Sequence, residues 1–254
     1  MGQKLSSEAA KAAVDKLYEN VAMRWGQVVN RGEFMTALGK GDLPLEAIRL
    51  FFRNWGAYTI EINTIVASTY QKHLSFFKKH RDLMGPLGEK IADEFIHPKP
   101  PGHFLVMLQT ARALGLTEEE VFLQPLIPMF RGKIDFIRGL LYEGTVAEWW
   151  SAVATEEMIG HWSKDFRAAL TGRYGFTDEQ ATYFGTHEEA DLAEHEQGVM
   201  AHGSFNRAVL QRLLEDGMAE ERPGYGMAYC SQTSVDLHAQ MLQAALEDYR
   251  RKSG

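Results

Sequence analysis

The chain has 254 residues, of which 45% are hydrophobic and 24% are charged, as is typical of a water-soluble globular protein. A net charge of −7 and the lack of any run of Lys or Arg longer than three residues argue against nucleic acids or anionic membranes as partners. The only cysteine is Cys230, which excludes an intramolecular disulfide and favours a reducing compartment. With no signal-peptide pattern and no apolar run near the ~18 residues that span a bilayer, we predict a cytoplasmic protein.

Helix signals begin near the N-terminus. Ser7 can cap a first helix, since Ser is a preferred N-cap residue. Pro44 lies where a first-turn proline is tolerated, and the helix after it carries an aromatic stripe that could form core or line a pocket. The stripe consists of Phe51, Phe52, Trp55 and Tyr58.

Three capping boxes predict further helix starts, because each pairs a Thr with a Glu or Gln three residues later. The pairs are Thr117 with Glu120, Thr145 with Glu148, and Thr177 with Gln180.

Breaks between helices are also visible. Gly115 and Gly175 lie where preceding helices should end, and the Pro-rich stretch 98–102 is a loop. A second break at 221–226 precedes a last helix over about 234–251. Strand signals are nearly absent, so we predict that residues 1–254 form a single all-α domain, a bundle of about seven or eight helices.

The most informative chemistry lies on the helix that Thr177 starts. His187, Asp191 and His195 are spaced four apart, and residues four apart differ by about 40° around an α-helix. The three therefore share one face and could hold or flank a metal ion. The alternative is a solvated, charged helix face, because several glutamates lie on the same segment.

Glu156 follows an apolar segment that begins three turns earlier at Thr145. A carboxylate pointing into the core needs a cation or a donor, so Glu156 is a candidate ligand, with Glu157 as its neighbour on a different face. Asp93 and Glu94 precede the Pro-rich loop, and His103 opens an otherwise core-like helix after it.

Taken together, these residues have the types and the order of the metal-ligand pattern of one known protein family. The match extends from about position 34 to 214. The matching pieces are Asp93-Glu94, His103 ahead of Ala113-Leu114-Gly115-Leu116, Glu156 in Ala154-Thr155-Glu156, and Tyr183-Phe184 followed by His187, Asp191 and His195.

With these pieces the chain resembles the haem-oxygenase-like di-metal oxidases, which share a helical fold with TenA and PqqC proteins. The resemblance implies a haem-oxygenase-like (TenA/PqqC-like) bundle, a homodimer, and two Fe(II) ions with manganese as an alternative. It further implies an oxidase or oxygenase that uses O2 to cleave C–C bonds or oxygenate amines on an amino-acid-like or fatty-acid-like substrate. The implied metal ligands are Glu94, His103, Glu156, His187, Asp191 and His195.

The chain departs from the family pattern in two places. The gap from Glu94 to His103 is longer than expected and contains His97, which could be the ligand instead. Gly160 stands where the family has a proline. The segment Glu33-Phe34-Met35-Thr36 lacks the tyrosine of the para-aminobenzoate-forming branch, which argues against that activity.

Other activities of the fold match less well. A haem oxygenase needs an axial histidine in the first helix, whereas the first histidine here is His73. A thiaminase needs a nucleophilic cysteine in the core, and Cys230 is poorly placed for that. A cofactor-free PqqC-like oxidase and a non-catalytic helical binding protein remain the alternatives. Arg53, Lys133 and Arg167 are candidates to anchor a substrate carboxylate, although a surface position is the simpler expectation for each.

Overall fold

The chain folds into packed α-helices. The computed structural model describes residues 2–97, 99–192, 200–220 and 222–254, and these ranges contain no β-strand. The helices are α1 (Ser7–Trp25), α2 (Glu33–Lys40), α3 (Leu45–Ala67), α4 (Thr69–Lys72), α5 (Leu74–Lys79), α6 (Met84–Phe95), α7 (His103–Ala113), α8 (Glu118–Phe122), α9 (Pro128–Glu143), α10 (Val146–Ala152), α11 (Glu156–Arg173), α12 (Thr182–Leu192), α13 (His202–Glu215) and α14 (Met227–Ser253).

The all-α prediction is confirmed, but the predicted seven or eight helices were too few. Between α3 and α6 the chain turns at His73 and His80, which separates the short helices α4 and α5. The helix expected to run from Thr145 through Glu156 is also interrupted, because residues Val153–Thr155 form a 3-10 turn. Glu156 is therefore the first residue of α11 and does not lie three turns into a continuous helix.

Most of the cap predictions are confirmed. Both hydrogen bonds of the capping box form at Thr117 and at Thr145. They also form between Thr177 and Gln180, although a turn follows and α12 begins at Thr182.

Two helix starts differ from the prediction. The N-cap of α1 is Ser6 instead of Ser7, since the Ser6 hydroxyl accepts a hydrogen bond from the backbone of Ala9. The last helix begins at Met227, about two turns earlier than expected. None of the described helices is both long and apolar enough to cross a lipid bilayer.

The centre of the bundle is aromatic. The predicted stripe on α3 is fully buried, and Trp55 lies at its middle. The Trp55 ring contacts those of Phe51, Tyr58 and Trp162 at centroid distances of 5.1 to 5.5 Å. Rings at these distances add about 0.5–1.5 kcal/mol per pair beyond their burial. This rigid core fixes α3 against α11 and α12.

Helices α11 and α12 approach each other closely at Gly160. A Cβ built on Gly160 would lie 2.8 Å from Asp191 Cβ and 2.8 Å from Leu192 Cγ, which is closer than real Cβ atoms come. Packing therefore explains why Gly160 stands where the family pattern has a proline. A residue without a side chain lets α12 lie directly on α11.

We expect Gly160→Ala to destabilise the protein by about 1–3 kcal/mol, since the added methyl overpacks this contact. Gly172→Ala is the matched control on the same helix, because a Cβ there meets nothing within 4 Å and should stabilise the helix by about 0.5–1 kcal/mol. Urea denaturation of both variants measures the difference. Equal stabilisation of the two would show that α11 and α12 are not in tight contact.

Candidate metal centre

Two groups of metal-ligating side chains lie between α6, α7, α11, α12 and α13. In each group the three donor atoms lie within 4.8 Å of one another. We call them the first cluster, formed by Glu94, His103 and His187, and the second cluster, formed by Glu156, Asp191 and His202.

Helix α12 links the two clusters. It carries His187 and Asp191 one turn apart, so one residue enters each cluster from the same helix face, as the four-residue spacing predicted. Helix α6 lies opposite and brings Glu94, while α7, α11 and α13 each supply a ligand from their first residue.

In the first cluster, His103 Nδ1 lies 3.3 Å from Glu94 Oε1. Asn63 donates a short hydrogen bond to the other oxygen of Glu94. Burial raises the pKa of Glu94, but the hydrogen bond from His103 and the charges of His103, His187 and His202 outweigh it and lower the pKa to about 2. Glu94 is therefore an anion at any physiological pH, as a metal ligand must be.

Gly102 places His103 in the first cluster. Its backbone has a φ of +72°, and a Cβ there would lie 2.4 Å from the carbonyl oxygen of Glu94. Only glycine fits such a conformation and approach without strain. The loop can therefore turn sharply enough to start α7 beside the end of α6.

The second cluster is built around His202. Its Nδ1 lies 3.0 Å from Asp191 Oδ1, and its Nε2 lies 3.2 Å from Asp93 Oδ2. Burial and the nearby Lys90 act to lower the pKa of His202, but the hydrogen bonds with Asp191 and Asp93 outweigh them and raise it to about 9. Without a metal ion, His202 is thus a cation held between two carboxylates.

Lys90 supplies the other positive charge of the second cluster. It is buried, with 4% exposure, and its ammonium pairs with Glu156 Oε1. Asn206 Nδ2 donates to the other Glu156 oxygen at 2.7 Å. Burial raises the pKa of Glu156, but the charges of Lys90 and His202 and these hydrogen bonds lower it overall.

The donor set fits metal ions in two respects. His187 Nε2 and Asp191 Oδ2 are buried and have no hydrogen-bond partner among the described residues, although buried polar atoms are normally paired. Three carboxylates and three imidazoles are also the ligands that suit iron, manganese or zinc better than calcium or magnesium. Divalent ions at the two clusters would give the two unpartnered atoms a partner.

Aromatic residues hold the histidine of α12 in place. Trp55 Nε1 donates to Tyr183 Oη at 2.8 Å, and the Tyr183 ring lies 4.5 Å from that of His187, centroid to centroid. On its other side His187 meets the His103 ring at 4.8 Å. The His187 imidazole is therefore fixed on two sides, and burial lowers its pKa, so it is neutral and free to coordinate.

The structure brings together five of the six residues that the resemblance implied as ligands. They are Glu94, His103, Glu156, His187 and Asp191. The sixth, His195, lies outside the described residues. Between the two histidines that the sequence left open, His103 is buried in the first cluster, while His97 is exposed.

His202 was missed from the sequence, although a signal for it exists. Like His103, it is the first residue of a helix whose later residues, such as Phe205 and Val209, are buried. Lys90 was missed as well, yet it lies three residues after the buried Leu87 and four before Glu94, on the inner face of α6.

The three cationic candidates for anchoring a substrate have different surroundings. Arg53 pairs with Glu46 and Glu120, and Arg167 pairs with Asp178 at the surface. Lys133 is 2% exposed, so the expectation of a surface position was wrong for this residue.

Comparison with solved structures identifies the fold. The chain aligns over 94% of its length, and 94% of the other chain, with a domain of unknown function with a haem oxygenase-like fold from Shewanella denitrificans OS217 (15% identity, TM-score 0.67). A TenA homologue from Pseudomonas syringae pv. tomato DC3000 matches over 97% of this chain and 98% of its own, also at 15% identity and a TM-score of 0.67. A TenA homologue from P. horikoshii OT3 matches over 92% and 97%, at 16% identity and a TM-score of 0.59.

The protein therefore has the haem oxygenase-like helical fold, a fold that includes the TenA family. At these identities the likeness extends to the fold alone. No protein-family model and no curated protein matches the chain.

Proposed function

We propose that this protein is a haem-oxygenase-like di-metal oxidase that binds two iron ions and uses O2 to oxidise a small organic substrate. The observation that carries the proposal is the pair of buried triads along one face of α12, with one unpartnered donor atom in each. Bound iron would supply the activation of O2.

The chain's own residues have distinct tasks in this proposal. Glu94, Glu156 and Asp191 are carboxylates, which can change how many oxygens they present as the charge of an ion changes. His103 and His187 are held by hydrogen bonding and ring contacts, and so fix the position of the ions. Metal binding at the second cluster requires His202 to lose a proton, and the ion would compete with Lys90 for Glu156.

The chemistry of the single cysteine does not favour a thiaminase. Cys230 is buried, and burial raises the pKa of its thiol to about 11. A nucleophilic cysteine needs a lowered pKa, because the thiolate is the reactive form. Cys230 therefore fits a structural role.

An anaerobic Fe(II) titration followed by a pulse of O2 tests the proposal. We expect two irons bound per chain, a transient visible absorption after O2 is added, and O2 consumption that a chelator abolishes. O2 consumption that resists the chelator would instead support a cofactor-free oxidase. Absence of iron binding would contradict the proposal and leave a non-catalytic binding protein.

A further inference from the structure

Lys133 is the most unusual charged residue outside the two clusters. It lies on α9 with 2% of its surface exposed, and its ammonium nitrogen has no hydrogen-bond partner within the part of the chain that is described. The ring of Tyr58 faces this nitrogen, with its centroid 5.9 Å away, in a cation–π contact. Burying an unpaired ammonium is costly, so a residue of this kind indicates a missing anionic partner.

Lys133 lines a cavity of about 50 Å³. The cavity has room for roughly four water-sized groups. Its walls are largely aliphatic and include Ile62, Val66, Ile137 and Ile159. Ile62 and Ile159 are only half-buried, which places the open side of the cavity next to them.

The same cavity reaches the second cluster, because Glu156 forms part of its wall. A molecule held by Lys133 would therefore extend toward one of the proposed ligands. One cavity is therefore lined by the unpaired Lys133, by aliphatic side chains and by Glu156 of the candidate metal site.

We propose that Lys133 binds the carboxylate of a short aliphatic acid, whose hydrocarbon chain lies against the isoleucines and whose far end points toward Glu156. Binding of the acid needs no metal, whereas its oxidation rests on the proposed function. A single buried ammonium among apolar side chains matches a singly charged carboxylate better than a phosphate, which carries more charge and needs more donors.

An aliphatic acid fits better than an amino acid. The ammonium of an amino acid would need its own carboxylate partner in the cavity. Of the described residues that line it, only Glu156 offers one, and its negative charge is already paired with the buried ammonium of Lys90. The cavity thus favours a ligand with one charged end.

Calorimetric titration of the metal-free protein with propanoate, and with propanamide as the uncharged analogue, tests the proposal. We expect one propanoate to bind per chain, at least about 10-fold more tightly than propanamide, because the amide carries no negative charge to pair with the ammonium. Lys133→Met retains the length and apolar packing of the side chain, and should weaken propanoate binding by about 10- to 100-fold while changing propanamide binding much less. Lys16→Met is the control, since Lys16 lies at the surface with 65% of its side chain exposed.

Equal binding of propanoate and propanamide by the wild-type protein would overturn the proposal, even if Lys133→Met did not fold. Propanoate binding that Lys133→Met leaves unchanged would also overturn it. Failure of iron binding would overturn the proposed function without affecting either result, because both titrations are carried out without metal.

Discussion

Asp191→Ala is expected to reduce the iron bound per chain from two to one. Asp191 belongs to the second cluster only, is 2% exposed, and has an oxygen without a partner. Loss of residues that merely support a metal ligand weakens binding by 10- to 100-fold, so loss of a ligand should weaken the second iron by at least about 100-fold. The first cluster keeps its three donors and should still bind one ion. Anaerobic Fe(II) titration measures both steps.

Glu189→Ala is the matched control for this prediction. Glu189 lies on the same helix, two residues before Asp191, but is exposed. Iron stoichiometry should remain two in this variant. Because Asp191→Ala also removes one of the two carboxylates that hold His202, we expect it to destabilise the metal-free protein by about 3–5 kcal/mol. Asp191→Asn keeps the shape of the side chain, and two tightly bound irons in a folded Asn variant would contradict the assignment.

Lys133→Met is expected to change how stability depends on pH. Burial lowers the pKa of Lys133 to about 7, whereas an unfolded lysine has a pKa of about 10.4. Between these values the unfolded chain holds a proton that the folded protein lacks, so this residue makes stability rise with pH across that window. Below pH 7 both states are protonated, and the contribution is constant.

Urea denaturation of wild type and Lys133→Met between pH 7 and 9.5 measures this effect. The free energy of unfolding of wild type minus that of the variant should increase by up to about 1.4 kcal/mol per pH unit. His238, Tyr58 and Glu156 also lie near this side chain, but they are present in both proteins, so their contributions largely cancel. A pH-independent difference would mean that Lys133 has an ordinary pKa and an unrecognised partner.

The helical class and most helix starts could be predicted because their signals are local. A Thr with Glu or Gln three residues later forms a cap through contacts within one turn, as at Thr117 and Thr145. The number of helices could not be predicted, because the breaks at His73, His80 and Val153–Thr155 contain neither glycine nor proline. At His73 and His80 the chain instead makes side-chain contacts with distant segments.

The candidate site was predictable to the extent that its residues follow helical spacing. His187 and Asp191 share a face because they are four residues apart. The division of the ligands into two triads depends on how five helices pack, and this information is not local. The inward position of Lys133 had a local signal, since it lies three residues after the buried Phe130 and four before the buried Ile137.

The order of the donors along the chain has a consequence for how the protein is made. The first cluster needs residues 94 and 187, and the second needs residues 156 and 202, so neither exists until most of the polypeptide has left the ribosome. Translation adds about 5–20 residues per second, so residues 94 and 187 leave the ribosome at least about 5 s apart. The nascent N-terminal half therefore cannot capture an ion by itself, and under the proposed function loading takes place after the helices have packed.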